Sequence, residues 1–160
     1  MEKDKKFILW FDQVGIGDVG LVGGKNASLG EMYTTLVPKG IRIPNGFAIT
    51  AHAYRYFIEK EGLTEFIKKE LEGLDTSDVK KLQKVGSTIR EKIIKSELPE
   101  ELKAEIALAY RDLSNAYNMK EADTAVRSSA TAEDLPGASF AGEHETYLNV
   151  VGEKNVIQAT

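Results

Sequence analysis

The sequence predicts an α+β protein. Three stretches carry that reading. Phe7-Ile8-Leu9-Trp10-Phe11 is a short apolar run of strand-forming residues. Residues 51–117 repeat apolar positions at helical spacing, broken by Gly62 and Pro99. After Asp123 the pattern reverts to extended pieces, Ala125-Val126-Arg127 and Tyr147 to Val151, joined by a long loop of small residues.

Between the first strand and the helices, six glycines (Gly15, Gly17, Gly20, Gly23, Gly24 and Gly30) fall inside sixteen residues. From Lys25 the pattern turns helical, with Ala27, Leu29, Met32, Tyr33 and Leu36 on one face, and Pro38 to Gly40 stop it. Ile41, Ile43 and Phe47 to Ile49 read as extended pieces around a Pro44-Asn45-Gly46 turn. Thr50 suits an N-cap for a helix over 51–61, and Thr64 one for 65–72. A helix follows over 77–96. Pro99, Glu100 and Glu101 then open one that runs to about 117. This divides the chain into an α/β lobe, residues 1–50 and 119–160, and a helical subdomain, 51–118. Residues 152–160 begin a further element with no stop signal, which reads as a piece of something longer.

The 160 residues are 42% hydrophobic, enough for a buried core, and carry a net charge of −4. Neither half is basic, so binding of nucleic acid by broad phosphate neutralisation is disfavoured, while a local basic pocket for a small anion is allowed. The absence of cysteine removes disulfides, thiolate metal sites and a cysteine nucleophile. The longest apolar run is five residues, too short for a membrane span or a secretory leader. A cytoplasmic protein without membrane partners is the expectation.

Two segments suggest chemistry. In Gly23-Gly24-Lys25-Asn26-Ala27-Ser28, glycines precede a helix start, where backbone N–H groups and the helix dipole favour an anion and a lysine adds a point charge. It is not a Walker loop, because Val19 and Asn26 stand where that motif needs glycine and a hydroxyl. Gly15-Ile-Gly17-Asp-Val-Gly20 spells a dinucleotide fingerprint, but the helical pattern starts only after Gly24 and residues 38–44 offer no acidic partner for a ribose. An ordinary glycine loop with an exposed lysine is the plainer alternative.

The second segment runs from Arg127 through Ser128, Ser129 and Thr131 to Gly142. Ten of the fifteen residues from Ser128 to Gly142 are Gly, Ala, Ser or Thr. Arginine at a strand end offers a rigid fork of donors for phosphate oxygens. The hydroxyls and small side chains can expose backbone N–H groups, and Pro136-Gly137 could fold the loop over a ligand. The competing readings are a flexible linker, or Arg127 paired with Glu133, Asp134 or Glu145. His52 reads as a surface or packing residue and His144 as a hydrogen-bonded strand histidine. No dense spacing of acids proposes a metal site.

Several blocks resemble one family: Val22-Gly23-Gly24-Lys25-Asn26-Ala27-Ser28-Leu29-Gly30-Glu31-Met32, Ile43-Pro44-Asn45-Gly46-Phe47-Ala48, and Ala125-Val126-Arg127-Ser128-Ser129-Ala130-Thr131-Ala132-Glu133-Asp134-Leu135-Pro136. With Ala138-Ser139-Phe140-Ala141-Gly142 they resemble the N-terminal nucleotide-binding region of the dikinases, which include phosphoenolpyruvate synthase, pyruvate phosphate dikinase and rifampicin phosphotransferase. The resemblance implies the first lobe of an ATP-grasp-like fold interrupted by a helical subdomain. It implies that Lys25 and Arg127 contact ATP phosphates, and that Gly142 and Thr146 line the same site. Gly23, Gly24, Ser128, Ser129 and Thr131 would form the phosphate loop. Where the family often carries glutamines, this chain has Glu143-His144. The implied reaction uses ATP to pyrophosphorylate a histidine on another domain of the same chain and then passes phosphoryl to pyruvate. Magnesium ligands, the histidine and the acceptor site are expected outside these residues, so no catalytic or metal-ligating residue is expected here. The same lobe in a rifampicin-phosphorylating dikinase, or a non-catalytic binding module, are the alternatives.

Overall fold

A computed structural model describes residues 2–132 and 145–160. The apolar run at the N-terminus forms β1 (Ile8–Trp10), and Phe47-Ala48-Ile49 forms β2 (Phe47–Ile49). They pair antiparallel, with Ile8 opposite Ile49 and Trp10 opposite Phe47. Leu9 and Ala48, the central pair, are both buried. Around them gather Val14, Val22 and Ala27, with Phe11, Val19 and Leu21 packed alongside.

The glycine-rich stretch belongs to that core through α1 (Val19–Leu36). This helix begins six residues before the predicted start, because Val19 to Val22 form a first turn of their own. The two parts meet at a break at Gly23, whose φ of 78° and ψ of 161° lie outside any helix. Further along, Gly30 lets the helix close on the preceding chain: a Cβ there would lie 2.3 Å from the Val14 carbonyl oxygen. Gly40, in the left-handed region at φ 83°, ends the following turn as the sequence predicts.

Thr50 caps α2 (Ala51–Lys60) as expected. Its hydroxyl accepts from the Ala53 N–H at 3.1 Å and donates to the Lys6 carbonyl at 2.7 Å. The next helix departs from expectation. α3 (Leu63–Leu71) starts before Thr64, with Gly62 at φ 65° turning the chain and no side-chain cap. Leu63 is fully buried, and that burial sets the start ahead of the better capping residue. α4 (Val79–Lys95) is capped by Asp78, whose carboxylate accepts from the Lys81 N–H at 3.1 Å. α5 (Glu100–Ala116) carries its acids in the first turn. Two strands, β3 (Thr124–Arg127) and β4 (Thr146–Val150), pair antiparallel, and the last stretch is α6 (Glu153–Ala159).

The chain divides into two compact units. The first comprises residues 1–53 and 100–160, and the second residues 54–99. The sequence grouped α5 with the helices of 51–118, whereas the second unit closes at Pro99. The reason is the face α5 buries: Leu102, Ile106, Tyr110 and Leu113 are enclosed, and α5 lies against β1 and α6. Among the described residues no helix is long and apolar enough to cross a membrane.

Candidate functional site

The break in α1 is where two distant parts of the first unit meet. In an unbroken helix the Asn26 N–H would donate to the Val22 carbonyl. Here the Ser129 hydroxyl stands between them: it donates to the Val22 oxygen at 3.0 Å and takes the Asn26 N–H at 3.5 Å. Beside it the Gly24 N–H donates to the Ala130 carbonyl at 3.2 Å. The Asn26 side chain also donates to the Val22 oxygen, at 2.9 Å. The seam tolerates no side chain at Gly23, where a Cβ would lie 2.2 Å from the Ser129 hydroxyl oxygen. Gly23 and Gly24 are buried, and Lys25, half-buried, is the second residue of the restarted helix.

Upstream, the chain entering α1 is pinned by two acids. Asp18 accepts from the Gly15 N–H at 2.9 Å and from Lys3 at 2.7 Å, and Glu31 accepts from the Ile16 N–H at 3.2 Å. The Lys3 ammonium, helped by the Gly15 N–H, holds the Asp18 carboxyl below its ordinary range. Gly17 and Gly20 face open space, so the three glycines of the apparent dinucleotide fingerprint do not act as one structural element.

Arg127 ends β3 directly opposite Thr146, the first residue of β4. Directly opposed residues share a sheet face, which puts both on one side. A bulge sets this register. Thr124 pairs with Val150 but Val126 pairs with Tyr147, so Leu148 and Asn149 together oppose Ala125. Asn149 takes a left-handed φ of 56° there. Without the extra residue Arg127 would face Tyr147. Beyond the strand the Ser128 N–H donates to the Glu145 carbonyl at 3.1 Å, and the Ser128 hydroxyl accepts from the Glu145 N–H at 3.2 Å. Tyr147 donates its phenol proton to the Glu145 carboxylate, which pushes the Tyr147 pKa up.

The foot of this hairpin rests on α5. The Tyr110 hydroxyl, on a side chain 1% exposed, donates to the Ala122 carbonyl at 2.7 Å and accepts from the Gly152 N–H at 2.8 Å. The Ser114 hydroxyl takes the Ala122 N–H at 3.0 Å. One helix thereby fixes the chain entering β3 and the chain leaving β4.

The matching family profile is described as pyruvate phosphate dikinase, AMP/ATP-binding domain, and it matches residues 19–160. The chain belongs to this dikinase family. The matched region of the dikinase domain opens on the first residue of α1 and takes in the Gly23–Ser129 seam and the β3–β4 hairpin. Curated relatives named phosphoenolpyruvate synthase include one from Aquifex aeolicus, 52% identical over 159 residues, covering 99% of this chain and 19% of the relative. One from Synechocystis is 51% identical, covering 92% of this chain and 19% of the relative. One from Escherichia coli is 49% identical, covering 95% and 19%. The chain thus spans about a fifth of the length of these relatives.

Of the dikinase residues read from the sequence, the structure joins the Gly23-Gly24-Lys25 segment to Ser129, and Arg127 to Thr146 across the sheet. Thr131 lies exposed in the turn that follows. Gly142, with its neighbours Glu143 and His144, lies outside the described residues. His52 stacks on Phe7 with ring centroids 5.5 Å apart, a packing role. A surface hollow of about 540 Å³ lies in the second unit, lined by residues such as Tyr54, Arg55, Ile58 and Glu65, and contains no predicted site residue. Among the described residues no group of three or more His, Cys, Asp or Glu side chains could hold a metal ion.

Two hydroxyls make contacts that no sequence pattern indicates. Ser129 was marked for phosphate contact, yet its hydroxyl completes a helix more than a hundred positions away. Tyr110 carried only the signal of an apolar helix face; nothing marked its hydroxyl as the hairpin's anchor.

Proposed function

We propose that the first unit holds the triphosphate of ATP as part of a dikinase, in an ATP-grasp-like lobe. Lys25 and Arg127 supply the charge and Thr146 adds a hydroxyl, with Gly142 assigned to the same site by the family resemblance alone. The observation that carries this is the seam itself. It ties the lysine-bearing start of α1 to the residues just past Arg127, so two cations 102 positions apart in the sequence stand on segments that are bonded to each other. The family profile, an AMP/ATP-binding domain, supports the ligand class. The relatives' shared name, phosphoenolpyruvate synthase, supports phosphoenolpyruvate as the product, while pyruvate as the acceptor and AMP and phosphate as the other products follow from the dikinase resemblance.

Phosphoryl transfer asks little covalent chemistry of the protein and depends on positioning and charge stabilisation. A half-buried lysine at a helix start and an arginine at a strand end meet that need. The lysine adds a point charge to the helix dipole, and the guanidinium spans two phosphate oxygens. The Thr146 hydroxyl, on Arg127's side of the sheet, adds a neutral donor. The phosphorylated histidine, the acceptor site and the remaining nucleotide contacts belong, on this reading, to other domains of the full-length protein.

The test is substitution in the full-length protein. Lys25→Ala and Arg127→Ala should each lower ATP-dependent formation of AMP about ten- to hundredfold, from a loss of roughly 1.5–3 kcal/mol per charge-assisted contact. The circular dichroism of both variants should match the parent. Unchanged turnover in either variant removes that residue from the site.

A further inference from the structure

We infer that Ser129 is a positioning residue: its hydroxyl fills the broken rung of α1 and so fixes the lysine-bearing helix start against the arginine-bearing strand end. The inference rests on the ATP reading above and assigns Ser129 a part in it distinct from touching phosphate.

A helix rung joins a carbonyl to the N–H four residues on. At Val22 and Asn26 that rung is open, because Gly23 turns the backbone to φ 78° and ψ 161°, a conformation confined to glycine. A side chain inserted into the ladder is one recognised cause of such a break. Ser129 does this with one hydroxyl serving both sides, donating to Val22 and accepting from Asn26. Both capacities of the hydroxyl are thus engaged within the protein. The Val22 oxygen keeps the Asn26 side chain as a second donor, so the group left unmet without Ser129 is the half-buried Asn26 N–H. The fit is mutual, since only glycine at position 23 leaves room for Ser129.

Position follows from this joint. Lys25 lies inside the rung that Ser129 completes, and Arg127 lies two residues before Ser129 on the strand that delivers it. The Gly24 bond to Ala130 runs alongside and prevents the joint from acting as a swivel. With the hydroxyl gone, of the seam's bonds only that between Gly24 and Ala130 still joins the helix start to the strand end, and a single bond can pivot. The spacing of the two cations then relaxes even though neither has been altered.

The test uses Ser129→Ala and Ser129→Thr in the full-length protein, with two readouts. Backbone hydrogen exchange of the peptide covering Val22 to Ala27 reports the joint without reference to activity. Steady-state kinetics report KM for ATP, KM for pyruvate and kcat. In Ser129→Ala, exchange at Asn26 should quicken and KM for ATP rise about five- to tenfold, with KM for pyruvate unchanged. Ser129→Thr, which keeps the hydroxyl, should recover most of both. Unchanged exchange in Ser129→Ala overturns the inference even where ATP binding weakens, because Ser129 then acts by touching the nucleotide. Faster exchange with an unchanged KM for ATP also overturns it, because the joint then does not govern the site. If instead Lys25→Ala and Arg127→Ala leave activity intact, the ATP reading fails while the exchange result still stands or falls alone.

Discussion

Gly23 and Gly86 both lie inside helices, and their surroundings show how differently the two units are built. Gly23 is enclosed by Ser129 and Ala130, with backbone atoms within 3 Å of where a Cβ would stand. Gly86 meets only the guanidinium of Arg90, the end of an exposed side chain, at 3.3 Å. The contrast extends to the units. The first closes strands, a broken helix and a hairpin by backbone fits and by hydroxyls that are buried or half-buried, as at Gly30, Tyr110 and Ser129. In the second, none of the seventeen residues of α4 is buried, and its charged pairs, Lys68 with Glu65 and Lys95 with Glu91, are exposed. Where the backbone itself makes the contact, single atoms decide stability. Where half-buried side chains make it, helix propensity carries more of the weight.

The sharpest way to break this comparison is Gly23→Ala. Alanine resists the Gly23 backbone conformation, and its methyl would press on Ser129. The two penalties together amount to roughly 2–5 kcal/mol. Urea unfolding should show a lowered midpoint, and ATP-dependent turnover should fall with it. A midpoint within error of the parent would mean that the seam opens freely.

A smaller loss is expected from Tyr110→Phe. The ring stays and the packing with it, but the Ala122 carbonyl and the Gly152 N–H lose their shared partner. Ala122 is buried, so the unmet carbonyl costs about 1–3 kcal/mol. The loss should appear as a lower unfolding midpoint, with faster exchange of the Gly152 amide marking its source. An unaltered amide would show that the hairpin foot is held elsewhere.

The same contrast explains what could be read in the sequence. A strand within 7–11, shortened to Ile8–Trp10, the strand at 47–49, the Thr50 cap and the stop at Gly40 follow from local rules, and the structure has them. The glycine and arginine segments could be marked as chemistry from residue type alone. Their meeting is invisible to periodicity, which links nothing between Val22 and Ser129, 107 residues on, and only the family resemblance points to a shared site. The register that sets Arg127 opposite Thr146 could not be read either, since it depends on a bulge that only Asn149 hints at. Helical spacing puts Leu102, Ile106, Ala109, Leu113 and Ala116 on one apolar face, but does not say what covers it. For that reason α5 was grouped with the helices before it instead of with β1 and α6.

The smallest predicted effect has the opposite sign and bears most directly on the second unit. Glycine inside a helix loses more conformational freedom on folding than alanine does, a difference of about 0.5–1 kcal/mol. Gly86 has helical neighbours on both sides and no positive φ, so alanine fits its backbone without strain. The only close atom belongs to Arg90, whose exposed side chain can move by the few tenths of an ångström required. Gly86→Ala should therefore stabilise α4 by that amount, read as slower amide exchange across Val79 to Lys95. Turnover should stay at the parent level. A loss of protection instead would mean that Gly86, like Gly23, is held by a close fit, and the distinction between the two units would no longer stand.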